Sequence, residues 1–202
     1  MAYQPNDYYS KKAKEENYFA RSVYKLQEID EKYHVLKGAK QVMDLGASPG
    51  SWSQFVSKKL GNQVKIFAID LNPLQQNIPH VTFVQTDILS ADILDLLNDH
   101  GFEPYFDVVL SDMAPKTTGI RITDQARSYE LCLMALKVAK KILKTHGNFV
   151  CKMFDSEDFH NFKNELQKNF KKVNVLRPKS TRKESKEIFF IASDFVNKLD
   201  VS

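Results

Sequence analysis

Short apolar runs recur along the chain at 41–46, 64–70, 81–87, 106–112 and 148–154, with helical periodicity between them. This pattern constrains the fold more than any other feature of the sequence. Near-continuous apolar strands alternating with helices are the signature of a parallel sheet covered on both faces. Two further runs, at 172–178 and 187–193, are separated by a polar stretch too short for a helical crossover. They are expected to lie as antiparallel neighbours. The reading is a Rossmann-like α/β fold with a seven-stranded, mostly parallel sheet, its last strand antiparallel, and helices on both faces. Helices are expected from Arg21 to Lys32 with Val23, Leu26 and Ile29 inward, from Ser51 towards Leu60, and through 91–99 with Ser90 as cap. A longer one should run from about Asp124 to Thr145, with Leu131, Met134, Ala135 and Val138 on its apolar face and Gly147 just beyond its end. Ser156 should cap another that carries Phe159, Phe162 and Leu166. No repeat or linker divides the chain, so residues 1–202 are read as one domain, with a basic segment and helix at 1–35.

The first strand ends in Asp44-Leu45-Gly46-Ala47-Ser48-Pro49-Gly50-Ser51-Trp52. A glycine turn there lets the backbone approach a ligand at the N-terminus of the next helix. The glycine spacing is not that of a dinucleotide fingerprint, and Pro49 stiffens the turn, which disfavours a nicotinamide enzyme. Asp70, Asp87 and Asp112 end the second, third and fourth strands. Ligands of open α/β sheets bind outside those carboxyl ends. Four acids, with Asp44, would repel phosphates but suit a cationic, hydroxyl-bearing ligand. S-adenosylmethionine fits: Asp70 can accept from ribose hydroxyls and Asp87 from the adenine amino group. Asp44 and Asp112 can balance the sulfonium and ammonium charges. One such aspartate alone is ordinarily a cap or turn former.

Lys152 interrupts the apolar run Phe149-Val150-Cys151-Lys152-Met153-Phe154. Buried lysines are rare without a partner, and a strand-end lysine ordinarily snorkels to solvent. Here the strand end is also the mouth of the expected donor site. A lysine at that place can hydrogen-bond a ribose hydroxyl and stabilise developing oxyanion character. It acts as a base only if burial or another cation lowers its proton affinity. No His/Cys/carboxylate spacing calls for a metal.

The formal charge of +4 and pI near 8.9 are only mildly basic. Between Lys171 and Glu187, however, seven positive residues face two negative ones. A local run of this kind attracts a polyanion. Lys11, Lys12, Lys14 and Arg21, together with Arg177, Lys179, Arg182 and Lys183, are the candidate RNA-binding surface. Cys132 and Cys151 match no zinc or redox spacing and lie in apolar stretches, which fits reduced thiols. With no signal-peptide core and no window of ~18 apolar residues, the chain is expected to be soluble and intracellular. Cytoplasmic is the leading location, with a mitochondrial or other organellar one open for a eukaryotic source.

The motifs together resemble the FtsJ (RrmJ) family of ribose 2′-O-methyltransferases over nearly the whole chain. Arg21-Ser22-Val23-Tyr24-Lys25-Leu26 is similar to the family's first lysine motif, and Asp44 to Trp52 to its donor loop. Ser111-Asp112-Met113-Ala114-Pro115 is similar to its aspartate motif. The Lys152 strand and Ser185-Lys186-Glu187-Ile188-Phe189 resemble its second lysine and glutamate strands. The resemblance implies the class I methyltransferase fold and a catalytic tetrad of Lys25, Asp112, Lys152 and Glu187, with Lys152 principal. It places Gly50, Trp52, Asp70, Asp87 and Asp112 against S-adenosylmethionine, with Gly46 and Asp44 in the same loop. It favours Glu187 over Glu184.

The resemblance further implies methylation of a uridine in large-subunit ribosomal RNA, with S-adenosylhomocysteine as product, by a metal-free monomer acting away from membranes. Methylation of the transfer-RNA anticodon loop shares the tetrad and stays open. So does a non-catalytic RNA-binding assembly factor, although such a factor has no need of a buried lysine.

Overall fold

A computed structural model describes residues 8–182 and 185–196. Lys183 and Glu184 lie outside the described residues. The strands are β1 (Gln41–Leu45), β2 (Lys65–Asp70), β3 (Val81–Gln85), β4 (Phe106–Ser111), β5 (Leu143–Phe154), β6 (Phe170–Leu176) and β7 (Glu187–Phe195). The helices are α1 (Tyr8–Glu15), α2 (Val23–Tyr33), α3 (Ser51–Leu60), α4 (Ile93–Asp99), α5 (Arg121–Ile142) and α6 (Phe159–Gln167). The strands form one sheet in the order β3-β2-β1-β4-β5-β7-β6. β7 is antiparallel to both its neighbours, and the other pairings are parallel. The expected Rossmann-like sheet, with β7 alone reversed, is what the chain forms.

Side-chain alternation along each strand sorts the two faces. Val42, Ile66, Val108, Leu110, Val150, Phe189 and Ile191 pack with Leu26 and Ile29 of α2 and with Trp52 and Val56 of α3. Met43, Leu45, Phe67, Val109, Cys151, Met153 and Phe190 face α4, α5 and α6. Polar stitches fix the layers. Asp30 at the end of α2 accepts from Leu36 N at 2.8 Å and pairs with Lys59 of α3. Asp107 accepts from Lys40 N and Gln41 N, both at 2.8 Å, which ties β4 to the entry of β1.

Several boundaries differ from the sequence expectation, each for a local reason. The long helix stops at Ile142, and the chain turns extended at Leu143, so Gly147 lies inside β5 rather than beyond a helix. β5 carries extra residues there: Phe106 pairs with Leu143 but Val108 with Asn148. A bulge of this kind keeps apolar Leu143 buried while Lys144 and His146 reach solvent. On α5 the core-facing residues are Cys132, Ala135, Leu136, Val138, Ala139 and Ile142, whereas Leu131 and Met134 are half-buried. Asp92, not Ser90, caps α4, its carboxylate accepting from Leu94 N at 2.8 Å. Gly50, not Ser51, precedes the first turn of α3, and Ser51 is helical with a buried hydroxyl. α6 starts after Asp158, two residues beyond Ser156. α1 was not expected from the sequence; its two tyrosines and scattered lysines give only a short apolar stripe, anchored by Ala13 against Val23 and Tyr24.

Phe190, fully buried on β7, meets Phe162 edge-on at 5.1 Å and Phe159 at 5.2 Å. Phe190→Ala is expected to lower unfolding free energy by about 3–5 kcal/mol, measured by urea titration. A loss below about 1 kcal/mol would mean that α6 is not packed on the sheet as described.

Candidate functional site

Lys152 sits on the same strand face as Val150, two residues on, and therefore points to the α2 and α3 side. It is 7% exposed. Its ammonium lies 2.8 Å from Asp112 Oδ1 and donates to the Asp112 carbonyl at 2.6 Å. β4 ends at Ser111, so Asp112 is the first residue past the strand, held by its N–H to Leu45 O at 3.1 Å. Parallel pairing of β4 with β5, Ser111 opposite Cys151, places the two partners side by side.

Glu187 opens β7 opposite Phe154, and Lys152 lies opposite Phe189. The two are thus diagonal neighbours on one face of an antiparallel pair. From the first turn of α2, Lys25 reaches down to Glu187, with Nζ 2.7 Å from Oε1 and both side chains about nine-tenths buried. The four residues of the tetrad therefore form two nearly dry ion pairs at the carboxyl edge of the sheet. Such pairs cost desolvation and hold only with good geometry and further hydrogen bonds. Cys132 Sγ, on the opposite face, donates to the Lys152 carbonyl at 3.1 Å.

The loop from Asp44 to Trp52 is built around Asp44 and two glycines. Asp44 is buried, and its Oδ2 accepts from Ser53 Oγ of α3 at 2.6 Å. Its Oδ1 is buried with no hydrogen-bond partner. Burial, with the nearby Asp112 carboxylate, pushes the Asp44 carboxyl up to about 7 despite the Ser53 bond. Gly46 has φ +76, and a Cβ there would stand 2.8 Å from Met113 Cγ and 2.9 Å from Met113 Cα. Only glycine lets this loop lie against the segment that carries Asp112. Gly50, φ +115, is hemmed in by Ile78 and Phe19.

Asp70 holds the loop from the β2 side. Its Oδ2 accepts from Ser48 N at 2.9 Å, while its Oδ1 accepts from Asn72 N at 2.8 Å and Asn72 Nδ2 at 3.3 Å. A carboxylate has about four acceptor sites, so room remains for a further donor. Asp87 is half-buried, with Oδ1 accepting from Leu89 N at 2.9 Å. Trp52 is placed differently. Its indole donates to Ser22 O at 2.9 Å and lies 5.9 Å from the Phe189 ring, so at the loop it offers only its main chain.

The residues present fit a cationic donor. A buried, unpartnered carboxylate oxygen, a glycine cradle that a Cβ would fill, and carboxylates at successive strand ends are what a sulfonium with hydroxyls and amines would engage. Ser53, which orients Asp44, carried no sequence signal, because its role depends on a helix folding back over the strand. Among the described residues, no group of three His, Cys, Asp or Glu side chains is placed to hold a metal ion, and no helix is long and apolar enough to cross a membrane.

The basic residues fall into two groups. Lys11 and Lys14 are exposed on α1, while Lys12 is 3.7 Å from Glu16 and over the Tyr24 ring. Arg21 lies over the Tyr9 ring and donates to Ser180 O, tying the start of α2 to the connection between β6 and β7. Arg177, Lys179 and Arg182 are exposed on that connection, with Arg177 donating to Ser185 O at 2.5 Å.

A family model described as FtsJ-like methyltransferase matches residues 18–195. The chain is 52% identical to ribosomal RNA large subunit methyltransferase E of Bdellovibrio bacteriovorus, over 95% of this chain and 97% of that protein. It is 43% identical to the protein of the same name from Syntrophobacter fumaroxidans, over 95% and 96%. A crystal structure of a ribosomal RNA methyltransferase from Plasmodium falciparum superposes with a TM-score of 0.78 at 31% identity, covering 88% of this chain and 98% of that one.

Asp44 generates a pH prediction. Its carboxyl is raised in the folded state, so the protonated form is favoured and its stabilising contribution is complete below about pH 4. That contribution is lost as pH rises through about 7. Between pH 5 and pH 8, unfolding free energy from urea titration should therefore fall more in the native chain than in Asp44→Asn. Parallel pH profiles for the two would show Asp44 to be ionised at little cost.

Proposed function

The chain belongs to the FtsJ-like methyltransferase family, and from that premise we propose that it transfers a methyl group from S-adenosylmethionine to a ribose 2′-hydroxyl of large-subunit ribosomal RNA, most naturally of a uridine. The observation that carries this reading is the pair of buried ion pairs, Lys152–Asp112 and Lys25–Glu187, at the mouth of the donor loop. A binding module has no use for two lysines desolvated at such a place.

When bound, S-adenosylmethionine supplies a methyl carbon on a sulfonium that leaves readily. Asp70 and Asp87 are the residues to hold its ribose and adenine, the main chain of Gly46, Gly50 and Trp52 to line the turn, and Asp44 and Asp112 to face its positive charge. What the protein must add is alignment and help with the hydroxyl proton. Holding the two reactants in line, away from water, supplies a large part of the barrier reduction. Lys152 meets the hydroxyl oxygen and stabilises the negative charge that develops on it while the oxygen–methyl bond forms, the methyl–sulfur bond breaks and the hydroxyl proton passes to solvent. Asp112 fixes the Lys152 ammonium through both its carboxylate and its carbonyl. Glu187, held by Lys25, stands diagonal to Lys152 and orients the ribose.

For the RNA, exposed Lys11, Lys14, Lys179 and Arg182, with Lys12, Arg21 and Arg177, form a surface for phosphates, which position the strand without reading its sequence. Lys183, outside the described residues, belongs to the same sequence run. A cytoplasmic monomer acting on the ribosomal subunit follows from this reading.

Lys152→Ala should lower kcat by roughly 10²–10⁴-fold while thermal shift still registers S-adenosylmethionine. Equal loss of donor binding and turnover would remove Lys152 from the catalytic step. The substrate is tested by offering labelled donor with large ribosomal subunits or with bulk transfer RNA. Label in ribosomal RNA is expected; label confined to transfer RNA overturns the assignment.

A further inference from the structure

Between β2 and β3 the chain crosses over through residues 71–80 without a helix. Parallel neighbours are usually joined by a helix that covers the sheet. Where that helix would lie, a concavity of about 810 Å³ opens between residues 14–19, α3 with its C-terminal turn, and residues 75–80. Its size falls in the ~300–1,000 Å³ range of ligand clefts. None of Lys25, Asp44, Asp70, Asp87, Asp112, Lys152 or Glu187 lines it, so it is distinct from the donor and catalytic sites. It nevertheless abuts the donor loop, since Phe19 and Ile78 close on Gly50 and Gln75 N donates to Pro49 O at 3.0 Å.

The chemistry of the wall is specific. Among the described lining residues there is no carboxylate. Lys14 and Lys58 supply positive charge, and Lys58 Nζ stands 4.2 Å from the centre of the Tyr18 ring. The side chains of Asn62, Gln75, Gln76 and Asn77 are exposed and make no hydrogen bond within the described chain. Gln54, in contrast, is spent on the wall itself, accepting from Phe19 N at 3.2 Å and donating to Asn17 O at 2.7 Å. Carboxamides both donate and accept, as base edges do, and lysines meet phosphates. Unpaired bases of RNA are held by such groups beside aromatic rings. A protein partner would call for large exposed apolar anchors, and here Ile78 is buried.

We propose that this concavity holds an unpaired nucleotide of the same RNA whose ribose is presented to Lys152, with Lys14 and Lys58 on its phosphates and residues 75–77 on its base. The inference rests on the RNA-substrate reading above. It explains why a connection free of secondary structure carries three consecutive side-chain amides with no hydrogen-bond partner among the described residues.

The test uses the full-length protein with labelled donor and unmethylated large ribosomal subunits. Gln76→Ala/Asn77→Ala, and separately Lys58→Glu, should raise KM for subunits about tenfold, with kcat, donor affinity and thermal midpoint as in the native chain. A photo-reactive benzoylphenylalanine in place of Asn77 should cross-link to ribosomal RNA. Unchanged KM in both variants, or cross-links to ribosomal protein only, overturns the inference and leaves the substrate reading intact. Absence of transfer to subunits by the native chain sinks the substrate reading, and this inference with it.

Discussion

A charged side chain placed in the middle of an apolar strand must find its counter-charge or leave the core. Lys152 cannot leave: β5 is hydrogen-bonded on both sides, to β4 and to β7, and α2 and α3 cover its face. The sheet therefore has to bring a carboxylate to it. Pairing β4 beside β5 does so, because Asp112 is the first residue beyond β4 and lies level with Lys152. The second pair follows from the same geometry, since antiparallel β7 brings Glu187 to the same face and α2 delivers Lys25. Removing one partner of such a pair leaves a buried charge uncompensated, which typically costs about 3–5 kcal/mol. The two ion pairs are thus an architectural constraint.

At the neighbouring strand ends the electrostatics run the other way. Asp44, Asp70, Asp87 and Asp112 gather negative charge around one loop, and burial keeps Asp44 partly protonated near neutral pH. A cationic ligand relieves that repulsion; an anionic one would aggravate it. The loop is fixed by its own backbone demands, with Gly46 pressed on Met113 and Ser48 tethered to Asp70. Two lysine–carboxylate pairs thus stand beside a cluster of carboxylates at the carboxyl edge of the sheet.

The two faces of the sheet are covered unequally. α4, α5 and α6 pack one face, whereas the other has α2 and α3 only and lacks a helix at the crossover from β2 to β3. The residues of β3 are half-buried or exposed as a consequence. The N-terminal segment partly compensates: Asn17 and Phe19 bond to Gln54 of α3, and Tyr18 lies under Lys58. The helix before this segment carries the exposed Lys11 and Lys14, so positive charge lies beside the thinly covered side of the sheet.

Local sequence was enough to determine the α/β class, the seven strands and the reversal of the last one, because the apolar runs and the short polar connection admit few other arrangements. It also singled out Lys152, since a lysine amid Phe149, Val150, Cys151 and Met153 has no ordinary reason to be there. Lys25 and Glu187 were not legible in this way. Each is an unremarkable charged residue in its own segment, and they could be named only through likeness to a known family. Helix ends at Ser90, Ser156 and Gly147 were misplaced because competing caps and a bulge are settled by which residue can stay buried. Tertiary structure alone decided that Lys152 meets Asp112 and Lys25 meets Glu187, that Trp52 turns its indole into the core, and that Asp44 is left with an unpartnered oxygen. The physical reason is that burial and ion pairing depend on distances across the sheet, which sequence spacing does not contain.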